Sequence, residues 1–110
     1  MSIVHIVQFG FKPNVPEDKI ADICHQLVSL KDKCIHPTSQ KPYIKSAIGG
    51  RNDSPEGMAG GVTHAFMMEF ESDEDRKYYL ENDPAHLGFV GGVKDLVATA
   101  RVVDFKPGKF

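Results

Sequence analysis

The chain has 110 residues, of which 41% are hydrophobic and 25% are charged. This is the composition of one globular domain with a modest core, and we expect a single domain over residues 1–110. The net charge of −2 argues against a surface that binds nucleic acid through its phosphates. No apolar run is long enough to cross a bilayer and no secretory leader is visible, so neither a membrane partner nor export is expected.

The first two predicted elements are a strand and a long amphipathic helix. Residues 2–11 are rich in β-branched and aromatic side chains, which favours a strand. Pro16 is a suitable first helical residue, and the helix is predicted to end near residue 35. Its apolar positions recur at helical spacing: Ile20, Ile23, Leu27, Leu30 and Cys34. Cys24 and Cys34 are then too far apart along the helix to form a disulfide, which, with the missing leader, predicts a cytoplasmic protein.

Two more strands follow, separated by a loop. Residues 43–48 are predicted as a strand that Gly49 and Gly50 bring to an end. Residues 51–61 are rich in Gly, Pro, Asn, Asp and Ser and are predicted to be a loop. Residues 62–71 carry the strongest strand pattern in the chain.

The last third of the chain predicts two helices and a final strand. Ser72 is a good N-cap for a helix that runs to about residue 82. Pro84 begins a shorter helix to about residue 97, and a strand follows over 100–105. The order β-α-β-β-α-β predicts an α+β fold of the ferredoxin-like class, with a four-stranded antiparallel sheet.

The strand at 62–70 also predicts a homodimer. One of its faces carries Val62, His64, Phe66, Met68 and Phe70, which suits packing under helices. The other face carries Thr63, Ala65, Met67 and Glu69, and the first strand adds Val4 and Ile6 to it. A sheet face open to water is usually more polar than this. A second copy of the same sheet is the simplest cover.

Three histidines on apolar elements are the candidates for chemistry. His5 lies on the first strand, His64 on the third, and His86 on the helix that begins at Pro84. Imidazole changes its charge near neutral pH, so a shared buried pocket predicts acid–base catalysis. Two alternatives stay open: the histidines are ordinary core residues, or the three of them bind zinc.

A set of short motifs, weak singly but specific in this order, gives the chain a family resemblance. They are His5-Ile6-Val7, Phe9-Gly10-Phe11-Lys12, Ser54-Pro55-Glu56-Gly57, Thr63-His64, Phe70-Glu71-Ser72, Tyr79, Pro84-Ala85-His86 and Val103-Asp104-Phe105. Over nearly its whole length the chain resembles the stress-responsive dimeric α/β-barrel (Dabb) family. The resemblance implies a ferredoxin-like protomer whose sheet pairs with that of a second copy to form a barrel.

The same resemblance implies a function. One family member, the plant polyketide cyclase olivetolic acid cyclase, closes a linear polyketide by aldol condensation without metal or organic cofactor. The implied function is therefore a cofactor-free cyclase that acts on a polyketide-like or other small carbonyl compound. The alternative is a non-catalytic, stress-responsive or small-molecule-binding homodimer, because some members have no settled chemistry.

Candidate site residues follow from the motifs. His86 corresponds to the catalytic base, Tyr79 to the donor that holds the developing enolate, and His5 and His64 to residues that shape the cavity. The segment from Tyr79 to Pro84 is one residue longer than in the cyclase, which leaves Tyr78 as the alternative tyrosine. Asp83 stands where the cyclase has a histidine. The predicted apolar walls for a hydrophobic or aromatic ligand are Ile3, Val7, Phe66, Met68, Leu87, Phe89 and Val90.

Overall fold

Three helices and one antiparallel sheet make up the protein, in a computed structural model that describes residues 2–110. In chain order the elements are β1 (Ile3–Phe11), α1 (Glu17–Lys33), β2 (Ile44–Arg51), β3 (His64–Phe70), α2 (Asp73–Glu81), α3 (Pro84–Val93) and β4 (Val97–Phe105). The strands lie in the order β2-β3-β1-β4, and every neighbouring pair is antiparallel. This is the ferredoxin-like arrangement, so the predicted fold class is confirmed.

Helix α1 forms where its sequence pattern predicts. It begins after Pro16, whose backbone is extended, and acidic residues occupy its first turn. Its buried stripe, which packs against the sheet, is Ile20, Ile23, Leu27 and Leu30. The helix ends at Lys33, and Cys34 is its buried C-cap. Within residues 2–110, no helix combines the length and the apolar character needed to cross a membrane.

The junction between α2 and α3 is a tight turn of two residues, Asn82 and Asp83. Ser72 caps α2 by accepting the N–H of Asp75, as predicted. At the other end, the N–H groups of Asn82 and Asp83 both donate to the carbonyl of Tyr78, at 2.9 Å each. The chain thus turns sharply from the end of α2 into α3.

Several predicted boundaries are wrong, and packing explains the clearest case. Strand β2 continues through Gly49 and Gly50 to Arg51, although the glycine pair was expected to end it. A β-carbon on Gly49 would lie 2.2 Å from the Phe66 ring, so the glycine makes room for a core side chain inside the strand. Helix α3 ends at Val93 rather than near residue 97, where β4 already begins.

The sheet has a second face, which no helix covers. We call it the outer face and define it by the apolar side chains of Ile6, Ile48, Met67, Val103 and Phe105. Ile48 and Val103 are 59% and 56% exposed, and Phe105 is exposed as well. This face is the one whose composition predicts a second copy.

Candidate functional site

Strand pairing gives the first histidine its partner. β1 and β4 pair so that His5 lies directly opposite Asp104, and both side chains point to the helix side of the sheet. His5 Nδ1 lies 2.7 Å from Asp104 Oδ1, and because a carboxylate only accepts, Nδ1 carries the proton. Arg76 donates to the other carboxylate oxygen at 3.1 Å. The buried His5 ring is therefore fixed at Nδ1, which leaves Nε2 for a ligand.

The first turn of α3 positions the second histidine in the same way. His86 Nδ1 donates to the Tyr79 carbonyl at 2.8 Å, so in the neutral ring Nε2 is an unprotonated acceptor. The His86 ring stacks on the Tyr79 ring, with centroids 3.8 Å apart and planes 24° from parallel. Burial lowers the pKa of His86, and the hydrogen bond to the Tyr79 carbonyl offsets part of this effect. The charges of His5 and Asp83 contribute less and in opposite directions, so the pKa remains lowered. The ring is therefore neutral at neutral pH and can act as a base.

Both histidines line one cavity of about 460 Å³ between the helices and the sheet. Val7 and Phe9 of β1 and Val102 of β4 form its sheet side, while Phe89 and Val90 of α3 form part of its helix side. Most of the lining is apolar, and Lys94 at the end of α3 is its one cation among the described residues. Such a cavity fits a small apolar molecule with one or two polar groups.

Six of the eleven predicted site residues line this cavity: His5, Val7, Tyr79, His86, Phe89 and Val90. The sequence did not single out Asp104 and Arg76 as site residues, although Asp104 lies in the last family motif. Alternation places Asp104 on one face of β4, but only the pairing register shows that this carboxylate faces His5. The catalytic roles of these residues stay predictions.

His64 is not part of this cavity, which corrects the expectation of a shared three-histidine pocket. In the β1–β3 register, His64 pairs with Phe9 while His5 pairs with Met68. The two histidines are thus four residues, or about 13 Å, apart along the strands. The zinc alternative is not supported, since no three potential ligands among residues 2–110 lie close enough to hold a metal ion.

Four predicted wall residues also lie outside the cavity. Ile3 and Met68 are fully buried in the core and do not line the cavity. Phe66 faces a different pocket beside α1, and Leu87 is exposed. Helical and strand periodicity separates buried from exposed positions, but it does not show which buried side chains leave a space between them.

The tyrosine beside His86 is Tyr79, and the extra residue does not bring Tyr78 into its place. Tyr78 instead packs near His36 and Tyr43. The Tyr79 hydroxyl is buried and donates to Met68 Sδ at 3.3 Å. Burial raises the pKa of Tyr79, so its hydroxyl stays protonated. Its observed contribution is to support the His86 ring and hold its Nδ1.

Fold and site together define a ferredoxin-like protein with an apolar cavity that carries two anchored imidazoles. The family described as the Stress responsive A/B Barrel Domain matches residues 3–107, and the chain belongs to this family. It is 29% identical over 105 residues to the Stress-response A/B barrel domain-containing protein HS1 of Arabidopsis thaliana, covering 96% of this chain and 89% of HS1.

Solved structures show how widely the fold recurs. The hydroxynitrile lyase from Passiflora edulis is similar, with a TM-score of 0.84 and 22% identity over 99% of this chain and 96% of the lyase. A Thermobifida fusca protein has a TM-score of 0.72 and 20% identity, over 96% of this chain and 90% of its own. It is described as a dimeric ferredoxin-like protein of unknown function. At 22% and 20% identity, the two similarities support the fold and not a function.

Proposed function

We propose that the cavity binds a small apolar carbonyl compound and catalyses proton transfer on it without a cofactor. The observation that carries this proposal is the anchoring of both imidazoles at Nδ1, with each ring lining the same apolar cavity. Anchored rings lose little further freedom when they react, and water exclusion strengthens their electrostatic effect. The family resemblance makes a polyketide-like chain, closed by an aldol step, the first substrate class to test.

The proposed chemistry assigns one step to each histidine. His86 Nε2 takes a proton from the carbon next to the carbonyl, which leaves an enolate. In its protonated form, His5 donates a hydrogen bond from Nε2 to the enolate oxygen, and Asp104 balances the charge of that ring. In a ring closure, the enolate carbon then bonds to a second carbonyl carbon of the same chain as the π bond of that carbonyl breaks. The oxygen of that carbonyl takes the proton that His86 Nε2 removed, which returns His86 to its neutral form, and His5 keeps its own proton. Tyr79 keeps the His86 ring in place.

Hydrogen exchange tests the proton-transfer step without knowledge of the natural substrate. The protein is incubated with 2-hexanone in D₂O, and loss of the α-proton signals is followed by NMR. Wild type should accelerate the exchange, and His86→Gln should reduce the acceleration by about 10²–10⁴-fold, the usual size of a general-base effect. His25→Gln is the matched control, since His25 is exposed on α1 and outside the cavity.

Two outcomes contradict the proposal in different ways. If the ketone binds but its exchange rate equals that of buffer, the cavity is a binding site without turnover. If His86→Gln exchanges as fast as wild type, another group is the base. A linear aryl 1,3,5-triketone, whose closure gives a phenol that absorbs in the ultraviolet, then tests the aldol step itself.

We also propose that the protein is a homodimer in which the outer face of one sheet covers that of the other. The exposure of Ile48, Val103 and Phe105 supports this, because apolar side chains of this size rarely cluster on a free surface. A relative described as dimeric has the same fold. Val103→Asp places a charge among the exposed apolar side chains of this face, on the edge strand β4, and should produce monomers in sedimentation velocity. A Val103→Asp protein that sediments like wild type would contradict this interface.

A further inference from the structure

A second arrangement of polar groups lies at the opposite end of the sheet from His5 and His86. Arg51 of β2 lies directly across from His64 of β3, and both side chains are on the helix side. Directly paired residues on one face have β-carbons about 4.5–5.5 Å apart. A guanidinium and an imidazole are thus adjacent at this end, outside the cavity of the proposed function.

The hydrogen bonds of His64 identify which ring nitrogen is available. His64 Nδ1 lies 2.8 Å from Thr63 Oγ1. The Thr63 hydroxyl lies within hydrogen-bond distance of the Phe9 carbonyl, at 3.3 Å, and we assign its proton to that bond, which makes His64 Nδ1 the donor to Thr63. His64 Nε2 is then an acceptor, and no group among residues 2–110 donates to it. His64 is only 5% exposed, yet its ring lines two adjacent pockets of about 250 and 180 Å³.

The charges around these pockets favour an anion. Arg51 lines both pockets, and Lys12 lines the smaller one. Glu17 is the only carboxylate among the described lining residues, and it pairs with Arg51 at 2.8 Å in a largely exposed ion pair. Such an exposed pair is weak and opens readily to a competing carboxylate.

The remaining lining of the larger pocket is mostly apolar. Ile20 and Val28 of α1 face Phe66 of β3 across it.

The surroundings of His64 also favour its neutral form. Burial lowers the pKa of His64, and the charge of Arg51 lowers it further, against a smaller effect of Glu17. The imidazole therefore stays neutral near pH 7 and keeps its acceptor lone pair.

We propose that this second site binds a small apolar hydroxy acid. The ligand carboxylate pairs with Arg51 in place of Glu17, its hydroxyl donates to His64 Nε2, and its hydrocarbon chain lies against Ile20, Val28 and Phe66. A carboxylate alone leaves the His64 acceptor without a donor, and an alcohol alone leaves the arginine charge unused. The site is independent of the proton-transfer cavity and stands if that proposal fails.

Three probes separate the two polar contacts: 2-hydroxyhexanoate, hexanoate, and the methyl ester of 2-hydroxyhexanoate. Binding to the whole protein is followed at pH 7 by ¹H–¹⁵N NMR. The hydroxy acid should bind most tightly, and its shift changes should centre on Gly49, Gly50 and the His64 ring. Loss of the charge should weaken binding by at least about tenfold, and loss of the hydroxyl by about two- to tenfold, the usual net contributions of a charge-assisted and a neutral hydrogen bond.

Variants test the same contacts from the side of the protein. Arg51→Gln should weaken hydroxy acid binding by at least about tenfold. His64→Phe keeps a ring beside Phe11 and should abolish the preference for 2-hydroxyhexanoate over hexanoate. Glu17→Gln removes the competing carboxylate and should tighten binding about two- to fivefold. Lys33→Gln, which removes an exposed charge at the far end of α1, should change nothing.

Three results would overturn the proposal. The first is equal affinity for the hydroxy acid and hexanoate in wild type. The second is unchanged binding of the hydroxy acid in Arg51→Gln. The Arg51 side chain is largely exposed, so this substitution should leave the fold intact. The third is a set of shift changes that centre on His5 and His86, which would assign the ligand to the other cavity.

Discussion

Replacement of Asp83 by alanine should destabilise the protein and loosen His86 with it. Asp83 is almost fully buried; one of its carboxylate oxygens accepts the Ala85 N–H at 2.9 Å and caps α3, while the other accepts the Tyr43 hydroxyl. Loss of the cap costs about 1 kcal/mol. A stranded buried hydroxyl costs about 1–3 kcal/mol, at the lower end here because Tyr43 is only half-buried. The expected loss is therefore about 2–3 kcal/mol in the free energy of unfolding.

Urea denaturation measures this loss, and NMR of the His86 ring reports its consequence. Asp83→Asn is the matched control, because the amide oxygen can still cap α3 and the expected loss is about 1 kcal/mol or less. The alanine variant should also shift the His86 resonance, since α3 begins at the residue after Asp83 and carries His86 in its first turn. An alanine variant within about 0.5 kcal/mol of wild type, with an unchanged His86 signal, would refute this reasoning.

Two further predictions concern stability. Burial lowers the pKa of His86 in the folded protein below its value in the unfolded chain. As the pH is lowered below about 6.5, the unfolded chain therefore takes up a proton at His86 before the folded protein does, and the free energy of unfolding of wild type should fall. Urea midpoints from pH 8 to 5 should fall less steeply in His86→Gln, and an equal slope would contradict this cause. Gly10→Ala should destabilise by about 1–3 kcal/mol, because the new β-carbon would lie 2.2 Å from the Gly61 carbonyl oxygen. A Gly10→Ala protein with wild-type thermal stability would show that the loop moves aside without cost.

The fold was accessible from the sequence because local patterns agree with one another. Local sequence alone shows the apolar stripe of α1, the cap at Ser72, Pro16 just before α1 and Pro84 at the start of α3. The site was less accessible because it depends on register. The β1–β4 register places Asp104 opposite His5, and the β1–β3 register places His64 four residues away from it. No local sequence pattern encodes either register.

The glycine pair in β2 is a second case in which local sequence was not enough to predict the structure. The pair Gly49-Gly50 has the composition of a turn, but Gly49 lies inside β2 because the Phe66 ring occupies the space of a side chain. A residue distant in sequence thus determines whether this glycine pair forms a turn or continues a strand. The family resemblance identified His86 and Tyr79 as candidate site residues, and the structure shows that their rings stack. The carboxylate that holds His5 became apparent only from the paired strands.

The most direct test of the proposed site is ¹⁵N NMR of the ring nitrogens of His5 and His86 at neutral pH, with and without 2-hexanone. The proposed site predicts that both rings carry a proton on Nδ1 and that His86 Nε2 is unprotonated. It also predicts that the ketone perturbs the Nε2 signals of these two rings and leaves exposed His25 unchanged. A proton on His86 Nε2 instead of Nδ1, or a ketone response that misses both rings, would contradict an acid–base site in this cavity.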